Sequence, residues 1–582
     1  MKSDLTKSLS LKAPSQKTGL QYNRMKHISL WAGVLCILYF SNTLASFWDI
    51  QVSPWNGGKD HYCGDTLIKS GTFKNSGTMD TKFSTLPANT GPLECWGGSR
   101  SGDYWYGVSV LAKGDTGIII NNDSGATIQS TLTANSPAQV AGILALQKVT
   151  INNSGTCDGQ LPDKDGFVAG IFIKGPADIT NNAKATCSAT GNYASAIEVD
   201  GGKITIINNG TIKAIATGGS QTKRSHAGGV DLFSYDGKHG APIYFENNGT
   251  ITAVACSTGC DTNRARAVNI WAEGSSATFK NTGTLQATTT GTHGEDNGIY
   301  CGADNGDVTF INSGTISNSG SGGFCVGLEN DSDTGNMYIE NSGTISTKNP
   351  FAIMLGNYKS DLKSCGHCYF KNTGTISGQW LGLSWPAIGG MTFFDSGDIL
   401  TNQCWLGGNV NATICGLPTI NPELGADTSG HNNTLVFNLD GTLEKINGKA
   451  ASGTTLSGLS SQGSIVVSGK TYRWKGFKIV SGTVFPGNKC SATVTYKRNE
   501  NHSLSFSIVN NIVSFFLPFK SSTLLLRIYD VRGKLVSSIV RKELQAGRNS
   551  IPLKSLNLSS GSYLCDLLID KKRYGTEMIN VR

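Results

Sequence analysis

The sequence predicts an all-β protein: a right-handed parallel β-helix (β-solenoid) followed by a small C-terminal immunoglobulin-like β-sandwich. Two observations predict the solenoid. A short phrase around Asn-x-Gly-Thr recurs along the middle of the 582-residue chain, and apolar residues alternate with polar ones on both sides of it. The sandwich is predicted by alternating apolar segments joined by glycine-containing turns in residues 503–582.

The repeated phrase defines the structural unit. From Gly210 onward its glycines are separated by 39, 34, 31, 29, 31 and 23 residues, a drifting period that is typical of one unit with loops of varying length. The segment 120–128 reads as a copy with one extra residue, and 179–185 as a worn copy. The glycines of the clear copies are Gly77, Gly155, Gly210, Gly249, Gly283, Gly314, Gly343, Gly374 and Gly397.

The alternation around each glycine indicates strand, corner and strand. A large apolar residue such as Phe279 stands four positions before the glycine, and another such as Leu285 stands two positions after it. Asn stands two positions before, where its side chain can bond back to the chain, and we expect the glycine to supply a left-handed backbone. A second strand lies upstream in each unit, as in 195–200, 267–272 and 351–356.

Such units bury their apolar faces only by stacking on one another. Stacking predicts parallel ladders and internal columns of identical side chains. A β-propeller or a row of sandwiches is the alternative, although propeller blades are longer and more even. One predicted column consists of Ile212, Ile251, Leu285, Ile316, Ile345 and Ile376.

The first 45 residues predict export. After Met25, Lys26 and His27, an apolar run of 28–40 leads to small residues and a cut before Ser46, which is typical of a signal peptide. Residues 1–24 are then either an extension of the signal peptide or an overlong start, with Met25 as the true initiator, and a signal anchor is the alternative to a signal peptide. The predicted domains are the signal peptide (1–45), a Trp-rich N-terminal cap with the first coil (46–110), the β-helix repeats with degenerate last coils (111–490), and the C-terminal domain (491–582).

Export favours disulfide bonds among the fourteen cysteines that follow the signal. The near neighbours that could close small loops are Cys256 and Cys260, Cys365 and Cys368, and Cys404 and Cys415. The "CGHC" segment at 365–368 has the spacing of a redox dithiol. However, Cys368 occupies a slot that holds core hydrophobes in other copies, so we interpret it as a core residue and not as a catalytic thiol. Two alternatives stay open, a structural Cys365–Cys368 disulfide and a disulfide between Cys365 and another cysteine.

Charge argues against nucleic acid as a partner. The net charge of +8 is concentrated at the two ends, whereas residues 46–490 contain 29 basic and 34 acidic residues, a net of −5. We expect a monomer that binds a polysaccharide or a cell-surface ligand.

No catalytic motif is present, and we expect no cofactor, with calcium as the weak alternative. Asp331 and Asp333, and likewise Asp163 and Asp165, have the spacing of short calcium loops without a full ligand set. Enzymes on this fold gather carboxylates with Lys or Arg on adjacent coils. Here Asp and Glu look scattered in loops, with no column, so adhesion is favoured over a polysaccharide lyase or hydrolase. Aromatic clusters at 47–55, 94–107 and 378–385 suit either sugar stacking or capping of the solenoid ends.

Phrases such as "FINSGTI" and "IENSGTI" resemble the repeats of β-helical passenger regions in bacterial adhesins, including autotransporter and filamentous-haemagglutinin-like proteins. The resemblance covers roughly residues 66–400 and is specific for fold rather than function. It implies a cell-surface or secreted protein. No barrel of long amphipathic strands follows, so self-translocation is not expected.

The C-terminal segment resembles the sorting domain of type IX secretion cargo, with an ordinary immunoglobulin-like module as the alternative. The resemblance implies that residues 503–582 engage the type IX machinery of a Gram-negative-type cell, deliver the chain to its surface or exterior, and are usually removed. The residues that match the motif are Tyr529, Asp530, Gly533, Lys534, Gly547, Asn549, Gly561, Tyr563 and Leu564.

Overall fold

The computed structural model is all-β, and its chain divides into two compact units, 1–492 and 493–582. Among the described residues, no helix is long and apolar enough to cross a membrane. The predicted signal peptide lies outside the described residues, so that prediction stays open. The structure describes residues 61–83, 94–96, 105–114, 117–132, 138–161, 166–217, 224–234, 240–255, 262–289, 294–320, 322–331, 335–348, 351–356, 368–383, 391–395, 398–406, 411–426, 433–451, 453–456, 459–486, 506–509, 512–517, 521–530, 534–544, 547–552, 561–569 and 572–581.

The first unit stacks coils of three strands, and equivalent strands of successive coils pair in parallel. This confirms a parallel β-helix. We name its three faces sheets 1, 2 and 3. Sheet 1 contains the strands that end at the Asn of the phrase: Thr72–Asn75, Ile118–Asn122, Val149–Asn153, Ala177–Asn181, Ile204–Asn208, Ile243–Asn247, Ala277–Asn281, Val308–Asn312, Met337–Asn341, Cys368–Asn372 and Met391–Asp395.

Sheet 2 begins directly after the corner of each coil. Its last long strands continue without a break into sheet 3, which joins the two faces. The strands are Thr78–Phe83, Thr127–Leu132, Thr156–Gln160, Thr186–Gly191, Thr211–Ala216, Thr250–Ala255, Thr284–Thr289, Thr315–Ser319, Thr344–Thr347, Thr375–Leu383, Asp398–Leu406 and Thr419–Ile420.

Sheet 3 has the longest strands and closes each coil. The short strand Glu94–Trp96 pairs with its first strand in the antiparallel direction. The strands are His61–Ile68, Trp105–Ala112, Ala138–Ala145, Gly166–Lys174, Tyr193–Asp200, Arg224–Ser234, Thr262–Glu273, Gly294–Asp304, Gly322–Asn330, Phe351–Gly356 and Leu424–Ala426.

The predicted internal columns are confirmed. Ile212 pairs with Ile251, and the register continues without interruption through Leu285 to Ile376. All these side chains are buried in one core that runs through the coils. Each contributes about 1.5–3 kcal/mol to folding, so a column is a large share of the stability.

The asparagines of sheet 1 form a continuous internal amide ladder. Each Nδ2 donates to Oδ1 of the Asn one coil further on, at N···O distances of 2.7–2.8 Å. The donor always lies on the earlier coil, so the ladder runs one way. Its last register position is Asp395, a residue that needs only to accept when ionised. The buried members are Asn75, Asn122, Asn153, Asn181, Asn208, Asn247, Asn281, Asn312, Asn341 and Asn372.

The phrase glycines are required for a reason that differs from the prediction. None of those described has a positive φ, so the expected left-handed corner is wrong. Instead the corners stack closely: a β-carbon on Gly283 would lie 2.0 Å from the carbonyl oxygen of Gly249, and one on Gly314 would lie equally near the oxygen of Gly283. Only a residue without a β-carbon permits this approach.

Two corners are longer and do use a left-handed residue, Gly125 (φ 79°) in one and Lys184 (φ 69°) in the other. Asn122 and Thr127 have the register of Asn153 and Thr156, yet four residues separate them where the ordinary corner has two. The copy at 120–128 therefore carries two extra residues, and the predicted single insertion is wrong.

The repeat ends in an aromatic cluster. Trp474, Tyr472, Phe437 and Phe477 are fully buried, and the Tyr472 hydroxyl donates to the carbonyl of Pro418 at 2.7 Å. Antiparallel pairing among Leu443–Ile446, Lys449–Ala450, Gln462–Val467 and Lys470–Lys475 replaces the parallel stacking here. A three-stranded parallel sheet continues beside it, formed by Asn411–Gly416, Thr434–Asp440 and Lys478–Phe485.

The second unit consists of two antiparallel sheets. The larger sheet has the strand order Leu535–Leu544, Ser521–Asp530, Gly561–Ile569, Lys572–Val581, and buries Leu524, Leu526 and Ile528. The smaller one contains Phe506–Val509, Ile512–Leu517 and Gly547–Pro552.

Candidate functional site

The outer face of sheet 3 collects the polar and aromatic groups that a ligand would contact. Alternate residues of each strand point into the core, such as Val230 and Leu232, so the residue between them, Asp231, points outward. In the coils nearest the N-terminus this face is apolar and forms a separate cluster that includes Leu144 and Phe172. From the strand Tyr193–Asp200 onward it becomes polar and aromatic.

Three aromatic rings lie together on this face, and we call them the aromatic platform: Trp271, Tyr300 and Phe324. Trp271 and Tyr300 are stacked, with ring centroids 6.3 Å apart and planes 16° apart, and Phe324 lies 6.1 Å from Tyr300 with its plane tilted by 40°. Glycines allow the rings to lie flat, since a β-carbon on Gly302 would come within 2.4 Å of the Trp271 ring and one on Gly327 within 2.1 Å of the Phe324 ring. Trp271 and Tyr300 are only half-buried.

The platform is fixed by a polar contact at its edge. The Tyr300 hydroxyl donates to Oε2 of Glu329, a buried residue. Burial, and then the negative charge of Asp331, raise the pKa of Glu329 well above its usual range. This hydrogen bond holds the Tyr300 hydroxyl at Glu329 and so fixes the ring beside Trp271.

Three coils before Tyr300 carry a grid of outward polar residues, which we call the polar grid. In register, Glu198 pairs with Asp231 and Asp231 with Asn269, which in turn pairs with Tyr300 of the platform. The remaining members of the grid are Tyr193, Ser195, His226, Arg264 and Arg266, which follow the same coils. Grid and platform are therefore one continuous strip along the solenoid.

Asp231 is held rigidly within the grid. The Ser195 hydroxyl donates to its Oδ2 at 2.8 Å, and Asn269 also hydrogen-bonds to it. The carboxylate lies over Gly228, where a β-carbon would come within 1.9 Å of Oδ2. Burial raises the pKa of Asp231, while the bond from Ser195 and the charge of Arg266 lower it.

Glu198 is in a different electrostatic environment. Burial, followed by the negative charges of Asp231 and Asp200, raises the pKa of Glu198 well above its usual range, and only Lys174 and a hydrogen bond with Ser195 oppose this. The two neighbouring carboxyl groups thus favour one proton between them, with Glu198 as its holder.

Nδ1 of His226 and Oδ1 of Asn269 are buried atoms of the grid that have no hydrogen-bond partner among the described residues. His226 is 9% exposed and Asn269 2%. Burial, together with the charges of Arg266 and Arg264, holds the pKa of His226 well below its usual range, so this imidazole is neutral. Such orphaned atoms in a native fold call for a ligand or a bound water.

One prediction about this face is wrong. The sequence showed no column of carboxylates, but the structure places Glu198 and Asp231 on adjacent coils, with Arg266 on the next coil of the same face. The absence of a carboxylate column, which favoured adhesion over catalysis, is therefore no longer an argument.

The calcium candidates find no support in the described part of the chain. Asp163, Asp165 and Asp333 lie outside it, and Asp331 is a buried residue beside Glu329. Within the described residues, no group of three His, Cys, Asp or Glu side chains is arranged to hold a metal ion.

Cys368 is a free, buried thiol that pairs in register with Met337 and Met391, so its interpretation as a core residue is confirmed. Burial raises its pKa, which disfavours the reactive thiolate. The open alternatives of a Cys365–Cys368 or a Cys404–Cys415 disulfide are wrong, since Cys404 is also a free thiol.

The sorting-motif residues come together in part. In the larger sheet of the second unit, Tyr529 pairs with Leu564 and Asp530 with Tyr563. Gly547 and Asn549 lie in the smaller sheet. Lys534 precedes the strand Leu535–Leu544, Gly561 begins the strand Gly561–Ile569, and Gly533, like Gly397 of the repeat, lies outside the described residues.

No protein-family profile matches the chain, and no curated protein matches it in sequence.

Proposed function

We propose that this protein is an exported cell-surface or secreted β-helix protein that binds saccharide chains through the outer face of sheet 3. The aromatic platform carries the proposal. The C–H face of a sugar ring is apolar and packs on a flat aromatic ring, while its hydroxyl groups need polar partners beside that ring. Trp271 and Tyr300 offer half-buried ring faces, and the polar grid supplies partners along the same strip.

The periodicity of the strip suits a polymer. Neighbouring strands of a sheet lie about 4.8 Å apart, close to the length of one sugar residue, so a chain along the solenoid axis meets one row of groups per residue. The orphaned Oδ1 of Asn269 lies next to Tyr300 in this direction and can accept a sugar hydroxyl. Adhesion to glycan, matrix or cells follows from such a strip.

Replacing Tyr300 with alanine is expected to weaken saccharide binding about 10- to 100-fold, because it removes the central ring of the platform. Binding is measured by calorimetry with saccharides selected on a glycan array. Tyr244→Ala is the matched control, since Tyr244 is also half-buried, donates to a glutamate (Glu246), and lies on sheet 1. Equal affinities for both variants, or the absence of saccharide binding by the wild-type protein, would count against the proposal.

We further propose that delivery occurs by type IX secretion through residues 503–582, folded as an immunoglobulin-like sandwich. Support comes from the separate compact unit at 493–582, and from the pairing of Tyr529 and Asp530 with Leu564 and Tyr563, which joins two of the motif's elements. We also propose that the solenoid is right-handed and that its N-terminal end has a Trp-rich cap.

Deleting residues 503–582 is expected to leave the protein in the periplasm of its native cell, since the sorting signal is lost. Cell fractionation tests this, with the full-length chain as control. Intact-mass measurement of the secreted form should show that the segment has been removed. Normal secretion of the truncated chain, or secreted protein that retains Arg582, would contradict the sorting proposal.

A further inference from the structure

The register places two carboxyl groups side by side on the strip that holds the saccharide. Glu198 and Asp231 are Cα partners on adjacent strands and both point outward. Side chains at such positions lie about 5 Å apart, which is within the range that a pair of glycosidase carboxyl groups spans. Tyr300 lies two coils beyond Asp231 in the same register, or about 10 Å away.

The surroundings of the two groups differ in the way that an acid and an ionised partner require. Burial raises the pKa of both groups, but Asp231 also receives hydrogen bonds from Ser195 and Asn269 and faces the cation of Arg266, which favour its carboxylate. Glu198 has Asp231 and Asp200 as its negative neighbours, which raise its pKa further and favour the protonated form. Neighbouring carboxyl groups with divergent environments are the usual signature of an acid and its ionised partner.

A second observation points to a ligand at this position. Asn269 stands directly between Asp231 and the platform, and its Oδ1 is buried without a hydrogen-bond partner among the described residues. Nδ1 of the neutral His226, five residues before Asp231 on the same strand, is also buried without a hydrogen-bond partner among the described residues. A sugar residue over Asn269 would place its neighbour over the carboxyl pair.

We propose that Glu198 and Asp231 hydrolyse a glycosidic bond of the saccharide bound on the aromatic platform, a proposal that rests on the proposed binding function. Glu198 gives its proton to the glycosidic oxygen as the bond from this oxygen to the anomeric carbon breaks, and a carboxylate oxygen of Asp231 bonds to that carbon. A water oxygen then bonds to the anomeric carbon as its bond to Asp231 breaks, and Glu198, now a carboxylate, takes the proton that the water loses. Asp231 is left as a carboxylate and Glu198 in its protonated form, as at the start. One water is consumed, and no other reactant is needed.

The experiment uses the full-length protein with pectin, xylan, β-glucan and glycosaminoglycan as probes, and measures reducing-end release beside binding. The wild-type protein is expected to cleave at least one probe that it binds. Glu198→Gln and Asp231→Asn should each lower the turnover number about 100-fold or more and leave binding within about threefold, because both substitutions keep the side-chain shape. Asp178→Asn, an exposed position on sheet 1, is the control that should keep full turnover.

The experiment distinguishes failure of the hydrolysis proposal from failure of the binding proposal. Saturable binding without any product overturns the hydrolysis and leaves the binding proposal intact. Turnover that survives both substitutions, or an unsaturated sugar product that indicates elimination, also overturns it. If no probe is bound or cleaved, the binding proposal falls as well. Circular dichroism of each variant separates lost chemistry from a lost fold.

Discussion

Replacing Gly283 with alanine is expected to lower the free energy of unfolding of the solenoid by about 4 kcal/mol. The new β-carbon would lie 2.0 Å from the carbonyl oxygen of Gly249 and 2.9 Å from the carbonyl carbon of the same residue. Both are backbone atoms, so no side-chain rotation relieves the overlap and the two coils must separate. Separation also stretches the bond from the Thr284 amide to the Gly249 carbonyl, now 2.9 Å.

The chain contains its own control for this substitution. Gly77 occupies the same position of the phrase in the first corner, and a β-carbon there would have no heavy atom within 4 Å. Gly77→Ala should therefore change stability by no more than about 0.5 kcal/mol. Urea unfolding followed by far-ultraviolet circular dichroism measures both variants. Similar losses at the two glycines would show that conformational preference, rather than close stacking, makes glycine necessary.

The phrase predicted sheets 1 and 2 because its spacing across the corner is the same in most copies. Phe279 and Leu285 stand at fixed distances from Gly283, so their counterparts could be aligned along the chain and assigned to columns. The physical reason is that the two-residue corners stack directly on one another, and the two longer corners each need a left-handed residue to fit. The asparagine position was likewise readable, although the hydrogen-bonded ladder appears only in the structure.

The sequence did not predict the strip on sheet 3, because turns of differing length separate its residues from the repeated phrase. Glu198 precedes its phrase glycine by 12 residues, Asp231 by 18 and Asn269 by 14, so no fixed spacing reveals a column. A local signal did exist. Each residue is the centre of an apolar-polar-apolar triplet, "IEV", "VDL" or "VNI", and aligning these triplets would have placed the three side chains in one row.

The role of the glycines was misread for a related reason. A glycine in a corner suggests a positive φ on local grounds alone. The close approach of Gly283 to Gly249 involves residues 34 positions apart, and it exists only once the coils are stacked. Contacts of this kind are set by the three-dimensional repeat and not by the local sequence.

Replacing Asn247 with alanine is expected to lower the free energy of unfolding by about 3–4 kcal/mol. The fully buried Asn247 side chain accepts from Asn208 at 2.7 Å and donates to Asn281 at 2.7 Å. Its removal leaves one donor and one acceptor unpaired in the core, where each costs about 1–3 kcal/mol. Asn248→Ala is the control, because the neighbouring Asn248 makes its side-chain hydrogen bonds on the exposed surface.

Comparing a substitution at the start of the ladder with one inside it distinguishes the cost of lost hydrogen bonds from the cost of lost packing. Asn75 begins the described ladder and donates to Asn122, but it has no earlier ladder member among the described residues to accept from. Asn75→Ala should therefore leave one neighbouring side chain without its ladder hydrogen bond instead of two. The free energy of unfolding should fall by about half as much as it does for Asn247→Ala. Denaturant unfolding of both variants, with hydrogen exchange at the flanking strands, measures the difference. Equal costs would assign the effect to side-chain volume, whereas a twofold ratio would show that the one-way amide ladder itself stabilises the stacked coils.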